Sequence, residues 1–233
     1  MLGLQSGIQG ALVTGFSAGM LHVVAGPDHI AALAPLAVRN RAHAMRTGSI
    51  WGAGHGTGVL ILGSIGIYFK TVIDIEFLSR WSEVFVGFLL IGIGLWAARQ
   101  TYTLHKSGFG RNWSSGKLES GGSLSPSEKG KLQLREDASI VPRNALTAAF
   151  GVGVLHGAAG TGHLFGVLPS LALPPVQAAT YLCSYLVAAV LAMTGVGFML
   201  GSIGDYGGPK AILHLMGLSA AVAISVGVWW MVG

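Results

Sequence analysis

The sequence predicts an all-α integral membrane protein of about six transmembrane helices, set as two inverted three-helix repeats with the first helix of each repeat broken. Three observations carry that expectation. First, only 10% of the 233 residues are Asp, Glu, Lys or Arg, whereas 52% are apolar. A soluble domain carries about 25% charged residues, so this chain lacks the polar surface that keeps a globule in water. A cytosolic enzyme and a secreted module are both disfavoured on that ground. Second, the charges gather mostly in two hydrophilic segments, and the apolar stretches between them run to roughly 20 residues, the length that crosses a bilayer core. Third, a segment near the start of the chain returns in its second half.

Hydropathy places the spans at 5–25, 47–69, 82–102, 144–168, 176–202 and 209–232. The first apolar region runs from Leu2 to Val38, too long for one straight crossing, and is interrupted at Gly26-Pro27-Asp28-His29. Proline removes a backbone donor and clashes one turn back, and glycine loosens the chain. Span one is expected to break there, with Asp28 capping a restarted helix through Ile30 and Ala31. Irregular backbone at membrane depth is tolerated only inside protein or beside a wet cavity, which makes the break a candidate site.

Thr103 to Ile140 is polar, rich in Gly and Ser and without apolar periodicity, as a flexible linker is. The chain therefore divides into a first repeat (1–102), a linker (103–140) and a second repeat (141–233). Arg39, Arg41 and Arg46 lie between spans one and two, and Lys106, Arg111, Lys117, Lys129, Lys131 and Arg135 lie in or beside the linker. The positive-inside rule puts both segments in the cytoplasm and both termini outside. The membrane would be a plasma (inner) membrane or an organellar equivalent. The opening MLGLQSGIQG holds no Lys or Arg, so it does not read as a signal peptide with a basic n-region. The net charge of +5 comes without any aromatic-interleaved basic motif, which argues against nucleic acid as a partner. Cys183 is the single cysteine, so neither a disulfide nor a dithiol redox pair can form within the chain.

The repeat sets ALVTGFSAGMLHVVAGPDHIAALAPLA (11–37) over ALTAAFGVGVLHGAAGTGHLFGVLPSL (145–171), at an offset of 134 residues without a gap. Identities include Gly19/Gly153, His22/His156, Gly26/Gly160, His29/His163 and Pro35/Pro169. Apolar bias explains matching alanines and leucines, but not two histidines, two glycines and a proline in register. Three spans per unit force the second unit to insert upside down, and inverted repeats with broken helices are a transporter signature. The Gly-xxx-Gly pairs Gly15/Gly19, Gly48/Gly52 and Gly54/Gly58 read as close helix packing. Gly15 to Gly19 also fits G-x-S-x-G, but a nucleophile elbow follows a strand, and this segment lies within a span.

Ionisable groups inside a membrane are costly, about 2.5 to 3.5 kcal/mol for Asp at a helix centre on insertion scales. Asp28, His22, His29, His55, His156 and His163 all lie in or beside apolar spans and need a reason to be there. His22 and His29 are seven residues apart, as are His156 and His163. In an unbroken helix seven residues rise roughly 10.5 Å, too far for one ion with imidazole bonds of about 2.0–2.1 Å. Either the break folds the two together, as is favoured for His22, Asp28 and His29, or they form successive stations. Imidazoles with one carboxylate suit nickel, cobalt or zinc. Magnesium and calcium want more oxygens.

HVVAGPDHIAALAPLA (22–37) and WGAGHGTGV (51–59) resemble the nickel/cobalt transporter superfamily, in particular its short branch of urease-accessory and high-affinity nickel-transport membrane proteins. The permeases carry a His-x4-Asp-His signature and a Gly-His-Ser-type motif. Here the first has five intervening residues, and the second reads Gly54-His55-Gly56. The resemblance implies that His22, Asp28 and His29 are the principal metal residues, with His55 close by. His156 and His163 rest on the repeat.

The expected function is transport of a divalent transition-metal ion, nickel or cobalt with zinc as a third candidate, by alternating access at the His/Asp site, and not enzymatic catalysis. The expected partners are the lipid bilayer and the metal ion, with a second copy or a metalloenzyme-maturation factor left open. The competing expectations are a haem-binding membrane electron-transfer protein and a metal-binding assembly factor that does not transport.

Overall fold

The computed structural model describes residues 2–37, 41–69, 75–106, 144–158, 166 and 168–232. Among these the chain is helical and contains no strand. The main helices are α1 (Leu2–Ala25), α2 (Pro27–Ala37), α3 (Arg41–Phe69), α4 (Ile75–Lys106), α5 (Ala145–Ala158) and α6 (Pro175–Val232). Four stretches are long and apolar enough to cross a membrane: Gln5–Ala25, Glu83–Lys106, Pro175–Gly208 and Lys210–Val232. Large apolar side chains point outward on these helices, among them Leu21, Val24, Phe88, Met199, Leu218 and Trp229. Such a surface suits lipid contact. The described residues make an all-helical, membrane-associated protein.

Two of the expected spans come out differently. Of the stretch 144–168, the structure describes a helix only over its first part, α5. α5 has 14 residues, which rise roughly 21 Å against a hydrocarbon core of about 30 Å, and 159–165 lie outside the described residues. The span expected at 47–69 belongs to a longer helix that starts at Arg41. α3 is long enough to cross but is diluted by Arg41, His43, Arg46, Thr47, Ser49, His55 and Thr57, and it is not among the four apolar stretches. α4 continues through Lys106, past Thr103 where the linker was expected to start. The remainder of the linker lies outside the described residues.

The expected break in span one is present. α1 ends at Ala25 and α2 begins at Pro27. Pro27 takes the first helical position, where its missing N–H costs nothing, and Gly26 stands before it, its carbonyl accepting a hydrogen bond from His29 N at 3.2 Å. Contrary to the expectation from sequence, Asp28 does not cap this helix. It lies within the first turn, and its carboxylate is turned to two histidines. α2 is buried along nearly its whole length, through Ala31 to Ala37, and is packed among α3, α4, α5 and α6. Its small residues let it sit as a half-helix at the centre. α6 is one run with a break at Gly208, whose φ of 66° and ψ of −167° suit only glycine. Pro209 then opens the second arm.

Glycines fix which helices touch. On α1, a β-carbon at Gly19 would lie 2.6 Å from Tyr185 O, and one at Gly15 would strike Tyr181 O, so α1 runs parallel to the first arm of α6. On α5, Gly153 and Gly157 meet the α3 backbone at Trp51 and His55, and Gly54 and Gly58 on α3 meet Phe150 and Val154, so α5 runs parallel to α3. Gly48 and Gly52 bring α3 antiparallel to α6 at Met193 and Val190. Gly87 meets Gly227, and Gly94 meets Ala220 and Ile224, which sets α4 antiparallel to the second arm of α6.

Candidate metal centre

Five side chains from four helices converge where α1 breaks. His22 lies in the last turn of α1 and is half-buried. Asp28 and His29 lie in the first turn of α2, His55 in mid-α3 and His156 in the last turn of α5. The last four are 4%, 1%, 0% and 0% exposed. Burial this deep is costly for groups that carry or can take a charge unless they serve one another or a ligand.

Each approach has a local cause. Gly26 lets the chain fold back: a β-carbon there would strike His29 Nδ1 and lie 2.6 Å from Asp28 Oδ1. His22 and His29, seven residues apart, thereby come to a ring separation of 4.7 Å, edge to face. Gly157 lies against the His55 backbone, so α5 and α3 touch and their imidazoles stand 5.8 Å apart. His29 sits at the middle, 5.2 Å from His55 and 5.0 Å from His156 between ring centroids. The Asp28 carboxylate reaches in two directions. Its Oδ2 is 2.9 Å from His156 Nε2, and its Oδ1 is 3.3 Å from His29 Nδ1. A carboxylate held against imidazoles in this way fixes ring orientation and raises their strength as metal ligands.

Among the described residues, two groups place three ligand atoms within 4.8 Å of one another. One is His22, His29 and His55; the other is Asp28, His29 and His156. Three nitrogens, or two nitrogens and one carboxylate oxygen, suit a borderline divalent ion. His163 lies outside the described residues. His214 is exposed on the second arm of α6 and stays out of the centre, as do His43 and His105.

Two further aromatic residues frame the centre. Trp51, fully buried, stacks on His55 at 5.1 Å and 11° and lies 5.4 Å from His156. Tyr185, 1% exposed, lies 6.0 Å from His22. The i,i+4 spacing of Trp51 and His55 on α3, and the repeat offset that relates Trp51 to Tyr185, were the hints in the sequence. Among the described residues, Trp51 Nε1 and the Tyr185 hydroxyl are buried without a hydrogen-bond partner. The two aromatics are themselves 134 residues apart, the offset of the repeat, and Tyr185 packs on Gly19 as Trp51 packs on Gly153.

No family model matches the chain, and no solved structure matches it. The chain is similar to two proteins of Arabidopsis thaliana. It is 33% identical over 219 residues to "Chloroplast protein FOR GROWTH AND FERTILITY 1", covering 92% of this chain and 56% of the relative. It is 31% identical over 219 residues to "Chloroplast protein FOR GROWTH AND FERTILITY 2", covering 92% and 54%. The chain spans about half the length of the curated relatives it matches.

Proposed function

We propose that this chain moves a divalent transition-metal ion across a membrane, with nickel or cobalt the first candidates and zinc the third. One observation carries the reading: four imidazoles and one carboxylate meet at a helix break, inside a chain whose surface is otherwise made for lipid. An imidazole cage exchanges well for the water around such an ion, and the deprotonated ligands it requires are provided without thiols. No chemical transformation of a substrate is part of the reading.

Alternating access by two inverted three-helix units draws support from the way the helices exchange partners. The leading helix of each half packs on the second helix of the other, α1 on α6 and α5 on α3, at matching glycine–aromatic contacts. Transporters of that kind bind cargo near mid-depth, between the halves. In this arrangement the segment 103–140 lies on the cytoplasmic side or its organellar equivalent, and both termini lie opposite. The names of the relatives speak of chloroplasts, which favours an organellar membrane for this chain. The resemblance of 22–37 and 51–59 to nickel/cobalt transporters supports the choice of cargo. A haem is disfavoured, because rings 4.7 to 5.8 Å apart leave no slot for a porphyrin between them.

The test is flux. Purified full-length chain in liposomes loaded with a metal-sensitive dye is expected to admit Ni²⁺ or Co²⁺. Asp28→Asn and His29→Gln are expected to slow that entry at least about tenfold, the usual lower bound for damage to a metal's ligands or their supports. Stoichiometric metal binding without flux would instead assign the chain to the metal-binding assembly factors, and absence of both would remove metal from its function.

A further inference from the structure

The five ligands of the centre do not form one shell. Two ligands facing each other across an ion, at bonds of about 2.1 Å, stand at most about 4.2 Å apart. Each triad satisfies a limit of 4.8 Å internally, but His22 and His55 do not join Asp28 and His156 in one such group. His29 alone belongs to both. Its ring lies 4.7 Å from that of His22 and 5.0 Å from that of His156, and its Nδ1 faces Asp28.

We infer that the centre is two alternative metal stations, occupied one at a time, with His29 as the ligand that hands the ion between them. This rests on the metal reading above and adds to it a number of ions, an order and a pivot. A neutral imidazole has one lone pair and one N–H, so His29 serves one station at a time. The outer station is His22, His29 and His55, an all-nitrogen set that includes the half-buried His22. While it is filled, His29 binds through Nε2 and its Nδ1–H donates to Asp28 Oδ1. The inner station is Asp28, His29 and His156, all buried. When the ion crosses, His29 binds it through Nδ1, and the displaced proton takes the Nε2 that the ion has left. His29 changes tautomer and keeps its charge. The inner station alone contains an anionic ligand, so a divalent ion is partly neutralised as it enters the drier set.

Cobalt(II) distinguishes these arrangements, because its visible absorption reports the donor set. Full-length protein in detergent is titrated with Co²⁺ alone, and bound metal is counted. Wild type is expected to bind one Co²⁺ per chain. Asp28→Asn and, as a second variant, His156→Gln are expected to keep one Co²⁺ with the spectrum of an all-nitrogen set. His22→Gln and His55→Gln are expected to keep one Co²⁺ with an oxygen-containing set, and His29→Gln is expected to lose stoichiometric binding. Each variant is compared only where its elution and helicity match wild type. Two Co²⁺ per wild-type chain would overturn the pivot, as would loss of binding in all four single-station variants, and in either case the metal reading would survive. Wild type that binds no Co²⁺, Ni²⁺ or Zn²⁺ would overturn the metal reading itself.

Discussion

The chain contains two copies of one motif, and the copies differ in the chemistry they bring. In the first, α1 ends three residues after His22, and Gly26-Pro27-Asp28-His29 turns the chain into α2. In the second, α5 ends two residues after His156, and the matching positions read Gly160-Thr161-Gly162-His163. Proline and carboxylate belong to the first copy only. The packing, by contrast, is shared: Gly19 against Tyr185 and Gly153 against Trp51 are the same contact 134 residues apart. What differs is where the two repeated histidines go. His22 joins the nitrogen triad, and His156 joins the one with Asp28. The packing contact thus recurs in both copies, while one acidic residue makes them chemically unequal.

The largest expected effect attacks the shared packing. Gly157→Leu drives a side chain into the α3 backbone at His55, and neither backbone can yield. Thermal unfolding in detergent should show a loss of at least about 3 kcal/mol, the upper range for overpacking. Gly19→Leu should do comparable harm in the other copy. Gly151→Leu, on the same helix as Gly157 but with nothing within 4 Å of its β-position, should change stability by less than about 0.5 kcal/mol. Equal damage from Gly151 and Gly157 would dissolve the claim that glycine contacts set the pairing.

A smaller effect is expected at the framing aromatics. Tyr185→Phe removes a buried hydroxyl that has no partner among the described residues, so it should be neutral or stabilise by about 1 kcal/mol, with metal affinity unchanged. A clear drop in Ni²⁺ affinity by calorimetry would show that the hydroxyl touches a bound ion or its water, and would make the two copies differ in one more respect. The smallest effect concerns the junction of α3 with α6. There Arg41 Nε stands 3.7 Å from Asp205 Oδ2, both about a third exposed, with its guanidinium near the rings of Phe198 and Tyr206. Asp205→Ala should cost about 0–1 kcal/mol, the range for exposed pairs, read from the same thermal curves.

Much of this was legible in the chain because the costs involved are local. Pro27 after Gly26 announces a broken helix anywhere, and six titratable groups in apolar runs announce a centre. Capping was misread for Asp28 because local backbone chemistry favours that use of a carboxylate, and two imidazoles from elsewhere in the fold outcompete it. The division into two triads was illegible, because it depends on how α3 and α5 approach, which is set by glycines that look alike in sequence whether they face protein or lipid. Trp51 and Tyr185 were hidden by chemistry: an aromatic among leucines and alanines signals burial and nothing more.

The exchange of partners between halves has a consequence for how the molecule comes into being. The surface on which α1 rests is supplied by residues around 181–188, so the first helix waits for most of the chain to be synthesised before its groove exists. At about 5–20 residues per second, it would wait on the order of ten seconds or more with its glycine stripe uncovered. Neither half is therefore a self-sufficient folding unit. Co-expressed separately, the two polypeptides would have to find each other in the bilayer before either acquired its native shape.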